Sequence, residues 1–201
     1  MANKLIKRNT ILAGSPADIA RREGTGLAEA LYANMALIIL GDNSGSMEAM
    51  DVENGPGEYL TREQKAMQEL ANLYEQYPGK ALLIEFSNFV NIRPNGTFSG
   101  QHGGTDLTAA LRFLRDVGID QIPDIKVVVI SDGHPDDPAT CLKVAKQLGV
   151  KLNTIYCGPS DGYMGLHFLN DLANASGGRA TTVENVDLEK EITHLLTEGA
   201  T

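Results

Sequence analysis

Tryptophan is absent from this chain, and phenylalanine and tyrosine bring the aromatic share to only 5% of 201 residues. The core must therefore be built from Leu, Ile, Val and Ala. Cysteine is nearly as scarce. Cys141 and Cys157 are too few for a disulfide framework, and each falls in an apolar pattern, which reads as a small core residue in a reducing compartment. Basic residues are in deficit, with 17 Lys+Arg against 26 Asp+Glu and a formal charge of −9. That balance argues against nucleic acid as a partner, because a basic surface is needed to displace condensed counterions. Long apolar runs are missing too. The longest, over residues 35–40, falls far short of the ~18–20 residues that span a bilayer. The basic residues Lys4, Lys7 and Arg8 are not followed by an apolar h-region, because Asn9, Thr10 and Ser15 interrupt it. The expectation is an intracellular, cytoplasmic chain with no membrane partner. Catalytic signatures are also lacking: no G-x-S-x-G elbow, no G-x-x-x-x-G-K-[ST] phosphate loop and no G-x-G-x-x-G after a strand.

What the chain does have is an ordinary globular balance, 42% hydrophobic and 21% charged, in a length that suits one domain with a sizeable core. From residue 34 onward two kinds of segment alternate. Short apolar runs over 35–40, 81–86 and 126–130, with weaker ones over 152–157 and 180–183, are near-continuous rather than alternating. That is how strands buried on both faces of a parallel sheet look. Between them lie helical stripes. Thr61-Arg62-Glu63-Gln64 reads as a capping box ahead of Met67, Leu70, Leu73, Tyr74 and Tyr77. Further stripes run through Leu107, Ala110, Leu111 and Leu114, through Cys141, Val144, Ala145 and Leu148, and through Leu166, Leu169, Leu172 and Ala173. Leu188, Ile192, Leu195 and Leu196 close the chain. Glycines 118, 149, 177 and 178 follow three of these stripes as stop signals.

The alternation predicts an α/β, Rossmann-like three-layer sandwich, with helices on both faces of a mostly parallel six-stranded sheet. One connection is too short for a parallel crossover. Only Ser87-Asn88 separates the run ending at Phe86 from the one over 89–92, so this pair is an antiparallel hairpin with its second strand at an edge. Residues 93–104 reach ~40 Å when extended. That is enough to return Thr105 to the carboxyl ends of the parallel strands, beside Asp42 and Asp132, where open α/β sheets bind ligands. Residues 1–33 fit the alternation less well and are expected to form an N-terminal extension packed on the domain over 34–201.

The chemistry gathers at that edge. Gly41-Asp42-Asn43-Ser44-Gly45-Ser46-Met47 follows the first core strand and offers one carboxylate and two hydroxyls as D-x-S-x-S. Gly103-Gly104-Thr105 adds a hydroxyl, and Ser131-Asp132-Gly133 adds a second carboxylate. A donor set made only of oxygen suits a hard cation such as Mg²⁺, with Mn²⁺ and Ca²⁺ as alternatives. Taken singly, each residue has a plain structural role open to it: Asp42 in an Asx turn, Thr105 as a helix N-cap, Ser44 and Ser46 as loop polars. A shared location explains all five together. His102 and His134 flank these motifs as exposed loop residues or, in the other reading, as bases.

In these motifs the chain resembles von Willebrand factor type A (VWA) domains with an intact metal-ion-dependent adhesion site. The D-x-S-G-S-M loop, G-G-T-x-L at Gly103 to Leu107, S-D-G-x-P at Ser131 to Pro135 and L-x-x-L-A-x-x-S-G-G over 169–178 all occur in order. The resemblance covers roughly residues 34–198. It implies that Ser44 and Ser46 coordinate the metal directly, and Thr105 directly or through water. Asp42 and Asp132 would stand in contact with the metal or one water removed. It implies a non-enzymatic, metal-dependent adaptor whose cation is completed by an Asp or Glu carboxylate of a partner protein. By analogy of fold, that partner is an AAA+ ATPase or an assembly component. The alternative is a Mg²⁺-dependent phosphoester hydrolase using Asp42 and Asp132 with His102 or His134 as base.

Overall fold

A computed structural model describes residues 35–55, 57–76, 80–93, 96–122, 124–158 and 162–182. The central strand β1 (Leu37–Asp42) is followed by a short hairpin, β2 (Val52–Gly55) and β3 (Glu58–Leu60), and by helix α1 (Arg62–Gln76). Next come β4 (Ala81–Phe86), β5 (Val90–Arg93), α2 (Leu107–Asp116), β6 (Lys126–Ser131), α3 (Pro138–Gln147), β7 (Leu152–Tyr156), α4 (Tyr163–Ser176) and β8 (Ala180–Thr182). The main sheet has the order β5-β4-β1-β6-β7-β8. Every neighbouring pair in it is parallel except β4 with β5, so the reversed edge strand expected from the short connection is present.

The strand order locates the functional edge. From β1 the chain moves outward to β4 and β5, then returns to the other side of β1 to lay down β6, β7 and β8. The order therefore reverses at β1, and the crevice beyond the carboxyl ends of β1 and β6 is the switch point where such sheets bind ligands. Asp42 ends β1, and Asp132 directly follows β6.

Burial explains why these segments are strands. All six residues of β1 and all six of β4 are buried, and successive side chains point to opposite faces. Leu37, Ile39, Leu83, Val128, Ile130 and Ile155 form one core cluster with Ala66 and Leu70 of α1. Ile38, Leu40, Val127 and Val129 fall on the alternate positions and are equally buried. The capping box of α1 is realised in both directions: Thr61 N–H donates to Gln64 Oε1, and Gln64 N–H to Thr61 Oγ1, each at 3.0 Å. Among the described residues no helix is long and apolar enough to cross a membrane.

The structure differs from the sequence reading in three places. The stretch between the Asp42–Met47 loop and the Thr61 capping box, to which the sequence pattern assigns no element, carries the β2–β3 hairpin. Its strands are only four and three residues long, too short to show a hydrophobic period. Phe89, assigned to an edge strand, stands in the β4–β5 turn with its ring exposed. The N-cap of α2 is Asp106, which accepts from Ala109 N–H at 2.9 Å, rather than Thr105. The extension over 1–33, Tyr77, Val183 and the closing helix expected over 188–196 lie outside the described residues.

The first turn of α4 lies directly against the loop after β6. A Cβ on Gly165 would come within 2.0 Å of the Asp132 carbonyl oxygen, and one on Gly133, whose φ is +82°, within 2.2 Å of the Gly165 carbonyl oxygen. Both glycines are required by close backbone approach. Gly165→Ala is expected to lower stability by about 2 kcal/mol or more, because backbone cannot yield as a flexible side chain can. Urea denaturation with the midpoint and slope compared against the parent chain is the check.

Candidate metal centre

Three loops bring the oxygen donors to this edge. In the first, Asp42 is fully buried and accepts the Ser44 backbone N–H through Oδ1 at 2.9 Å. The hydroxyls of Ser44 and Ser46 are 3.0 Å apart. Ser46 belongs to a one-turn 3-10 helix, Gly45–Glu48, anchored by Met47, which is fully buried and accepts from the Cys157 thiol through its sulfur at 3.6 Å. Asp42, Ser44 and Ser46 are thus one hydrogen-bonded unit on a pinned loop.

The second loop leaves β6. Ser131 donates its hydroxyl to Asp42 Oδ2 at 2.5 Å and accepts the Gly133 N–H at 2.9 Å, so the two strand ends are joined through one side chain. Asp132 is fully buried. Its Oδ2 accepts from Arg62 Nη1 at 2.8 Å, while its Oδ1 has no hydrogen-bond partner. Arg62 is buried as well, and it grips Asp51 with Nε at 2.9 Å from Oδ1 and with Nη2 on Oδ2.

The third loop carries Thr105. Gly103 pairs with Ser44 as an isolated parallel bridge, and Gly45 N–H donates to the Gly103 carbonyl at 3.0 Å. Thr105 N–H donates to Asp136 Oδ1 at 3.3 Å, and Asp136 N–H to the Thr105 carbonyl at 3.1 Å. Thr105 is buried, its backbone paired with Asp136 of the loop after β6, while Gly103 two residues earlier pairs with the first loop. Beneath it, buried Glu85 accepts Ser99 N–H at 2.8 Å, and Asn43 reaches Ser99 Oγ at 3.1 Å. This tie joins the first loop to the third.

The electrostatics follow from burial. Desolvation pushes Asp42 up to about 6, and the charge of Asp132 adds to that, against the hydrogen bonds from Ser131 and Ser44. Burial raises the Cys157 thiol well above its ordinary value, which keeps it unreactive. The Arg62 guanidinium is thus shared by fully buried Asp132 and part-exposed Asp51, while Asp42 is held by Ser44 and Ser131, and Asp132 Oδ1 is left without a hydrogen bond. Among the described residues there is no cluster of three or more His, Cys, Asp or Glu, and the donors that the three loops present are hydroxyls and carboxylates, unlike the nitrogen and sulfur of zinc sites. Hydroxyls and carboxylates carried to one edge of the sheet, with Asp132 Oδ1 lacking a hydrogen bond, are the oxygen-only donor chemistry that suits a hard divalent cation.

The histidines occupy different positions. His102 Nε2 faces Glu48 Oε1 at 3.4 Å and Glu63 Oε2 at 3.5 Å. His134 is 58% exposed at its side chain, with Nδ1 3.1 Å from the backbone carbonyl of Asp132 and 3.7 Å from its Oδ1. The sequence reading missed Ser131 as a donor to Asp42, and Arg62 and Asp51 altogether. A signal for Arg62 was present. It occupies the first residue of α1, where the helix dipole disfavours a cation, so a buried arginine there needs carboxylates beside it.

No family model matches the sequence, and no curated protein does. Solved structures share the fold. An aerotolerance-related membrane protein from Bacteroides fragilis, with multiple mutations to serines, is similar with a TM-score of 0.62 and 20% identity, over 81% of this chain and 98% of that one. The manganese-loaded TRAP protein of Plasmodium vivax follows at 0.53 and 18%, over 80% and 71%. The SpRpn10 VWA domain stands at 0.50 and 14%, over 83% and 98%. At these identities the likeness is one of architecture, and the chain has the Rossmann-like three-layer fold of VWA domains.

A raised Asp42 pKa means that the folded, metal-free chain holds this proton more tightly than the unfolded chain. Its stability therefore falls as pH rises from about 4 to about 6. In chelator at pH 7, Asp42→Asn is expected to be more stable than the parent by about 1–3 kcal/mol, the upper figure being two pKa units at 1.36 kcal/mol each. It should also lack that part of the pH slope. Thermal melts at pH 5 and pH 7 in EDTA measure both effects.

Proposed function

We propose that this chain is a metal-dependent protein-binding module. A divalent cation, Mg²⁺ first and Mn²⁺ or Ca²⁺ as alternatives, is held by Ser44, Ser46 and Thr105, with Asp42 and Asp132 supplying negative charge. An Asp or Glu carboxylate of a partner protein completes its coordination. The observation that carries this reading is the Asp132 Oδ1 atom, buried without a hydrogen bond at the edge of the sheet that also carries the hydrogen-bonded Ser44 and Ser46 hydroxyls. A cation there would neutralise the two buried carboxylates, and the neutral hydroxyls would leave it electrophilic toward a further anion. The manganese carried by the Plasmodium vivax neighbour supports a divalent cation in this fold.

The apolar surface supports a protein as the partner. Among the described residues the large exposed hydrophobic side chains are Met50, Tyr59, Phe89, Tyr163 and Met164. Met50 follows the Ser44–Ser46 loop, Tyr59 lies on its hairpin, Phe89 is in the turn after β4, and Tyr163 and Met164 open α4. All belong to segments that leave carboxyl ends of the parallel strands. Scattered single hydrophobics are ordinary on a surface, and the placement of this set in segments that leave one edge of the sheet supports a contact face there. The hydrolase alternative finds less support. His102 is engaged with Glu48 and Glu63, and the Nδ1 of His134 lies closest to a backbone carbonyl.

Affinity capture with the full chain tests the reading. The expected outcome is a partner retained in Mg²⁺ or Mn²⁺, released by EDTA and absent with Asp42→Ala. That variant should also lose at least about 10–100-fold in Mn²⁺ affinity by calorimetry. Equal recovery of the partner with and without the cation overturns the proposal. The double variant Tyr163→Ser, Met164→Ser is expected to weaken capture while leaving Mn²⁺ affinity and the melting temperature near those of the parent.

A further inference from the structure

Arg62 is a buried cation at the first position of α1, where the aligned peptide dipoles oppose it. Two carboxylates hold it there. Asp51 takes Nε and Nη2 as a fork, and Asp132 takes Nη1 at 2.8 Å. The contact with Asp132 has two effects on the edge of the sheet. It uses one of the two Asp132 oxygens, so that Oδ1 is the one left without a hydrogen bond, with His134 Nδ1 3.7 Å away. It also sets a permanent positive charge against the pair formed by Asp42 and Asp132. Asp51, about a third exposed at its side chain, keeps that guanidinium in place and returns part of the negative charge.

We propose that Arg62 is the affinity-determining residue of the cation site. Its guanidinium, fixed by Asp51 to one oxygen of Asp132, lowers the site's affinity for a divalent cation and leaves the bound cation short of negative charge. An incoming carboxylate then supplies what is missing, so metal and partner strengthen each other's binding by linkage. This inference rests on the cation-site reading above. A role confined to tying the β2–β3 hairpin to the sheet would predict something different, because cutting either end of the Asp51–Arg62–Asp132 chain would then loosen the site in the same way.

Calorimetric titration of MnCl₂ into the full chain separates the two, with Arg62→Gln, Arg62→Lys and Asp51→Asn compared with the parent. Removing the positive charge should tighten Mn²⁺ binding by about tenfold or more, as Coulomb's law gives for a unit charge near a dication even in a high effective dielectric. Asp51→Asn, which removes a negative charge, should weaken it several-fold. Arg62→Lys, which keeps the charge but not the fork, should stay within about threefold of the parent. Thermal melts supply a second readout. Arg62→Gln should melt lower than the parent in EDTA, since Asp132 is left unpaired, and should gain more from added Mn²⁺. Opposite signs for Arg62→Gln and Asp51→Asn support the inference, and equal signs or no change overturn it. Should Arg62→Gln not fold in EDTA, an unchanged or tighter Mn²⁺ affinity in Asp51→Asn overturns it. A parent chain that binds no Mn²⁺ overturns the cation-site reading itself. A parent that binds, with variants that move together, overturns the role of Arg62 alone.

Discussion

Asp42 and Asp132 stand fully buried at the ends of adjacent parallel strands, and much of the surrounding structure is arranged to make that juxtaposition tolerable. Buried charge costs several kcal/mol per ion even after relaxation. Asp42 is met by a backbone N–H and a serine hydroxyl, and Asp132 by a guanidinium. The compensation is partial. Asp42 is still pushed up to about 6, and one Asp132 oxygen has no partner. Two acids in this position are thus satisfied only in part, which is the shortfall that the proposed cation would make up.

The same constraint accounts for the local geometry. Ser131 must bridge Asp42 and the Gly133 amide at once, which turns the chain sharply after β6. Gly133 allows that turn with its positive φ, and Gly165 lets α4 come close enough to cover it. On the other side, the bridge between Ser44 and Gly103, together with the Glu85–Ser99–Asn43 contacts, fixes the first loop to the third. Thr105 therefore reaches the edge through backbone that is hydrogen-bonded at nearly every step. Rigidity here comes from polar groups packed in a buried setting, where an unpaired group costs more than it would in water.

The architecture was legible because its signals are long and redundant. The near-continuous apolar runs over 37–40 and 81–86, broken only by Glu85, call for burial on both faces, and the two-residue gap at Ser87-Asn88 allowed no parallel crossover. The D-x-S-x-S, G-G-T and S-D-G segments could be placed at one edge because strand ends and motif positions coincide. The β2–β3 hairpin escaped because Val52, Glu53, Glu58 and Tyr59 show no period that separates a strand from a loop. The N-cap shifted from Thr105 to Asp106 because both residue types cap well, and only the path of the chain chooses between them. Arg62 was hidden inside its own capping box. The Thr61–Gln64 reciprocity explains the helix start so completely that the arginine between them drew no separate reading.

Arg62 also shows why a motif alone underdetermines a cation site. The oxygen donors say which kind of ion fits, but the affinity depends on every charge within reach, and those charges come from segments with no motif. Here α1 supplies a cation and the residue before β2 supplies the acid that holds it. A site built from acids alone would grip a dication strongly and saturate it. A site tempered by a guanidinium holds the ion less strongly and leaves it open to an anion from outside. On the proposed reading, the hairpin and the first turn of α1, rather than the serine loop, decide how far the cation depends on a partner's carboxylate.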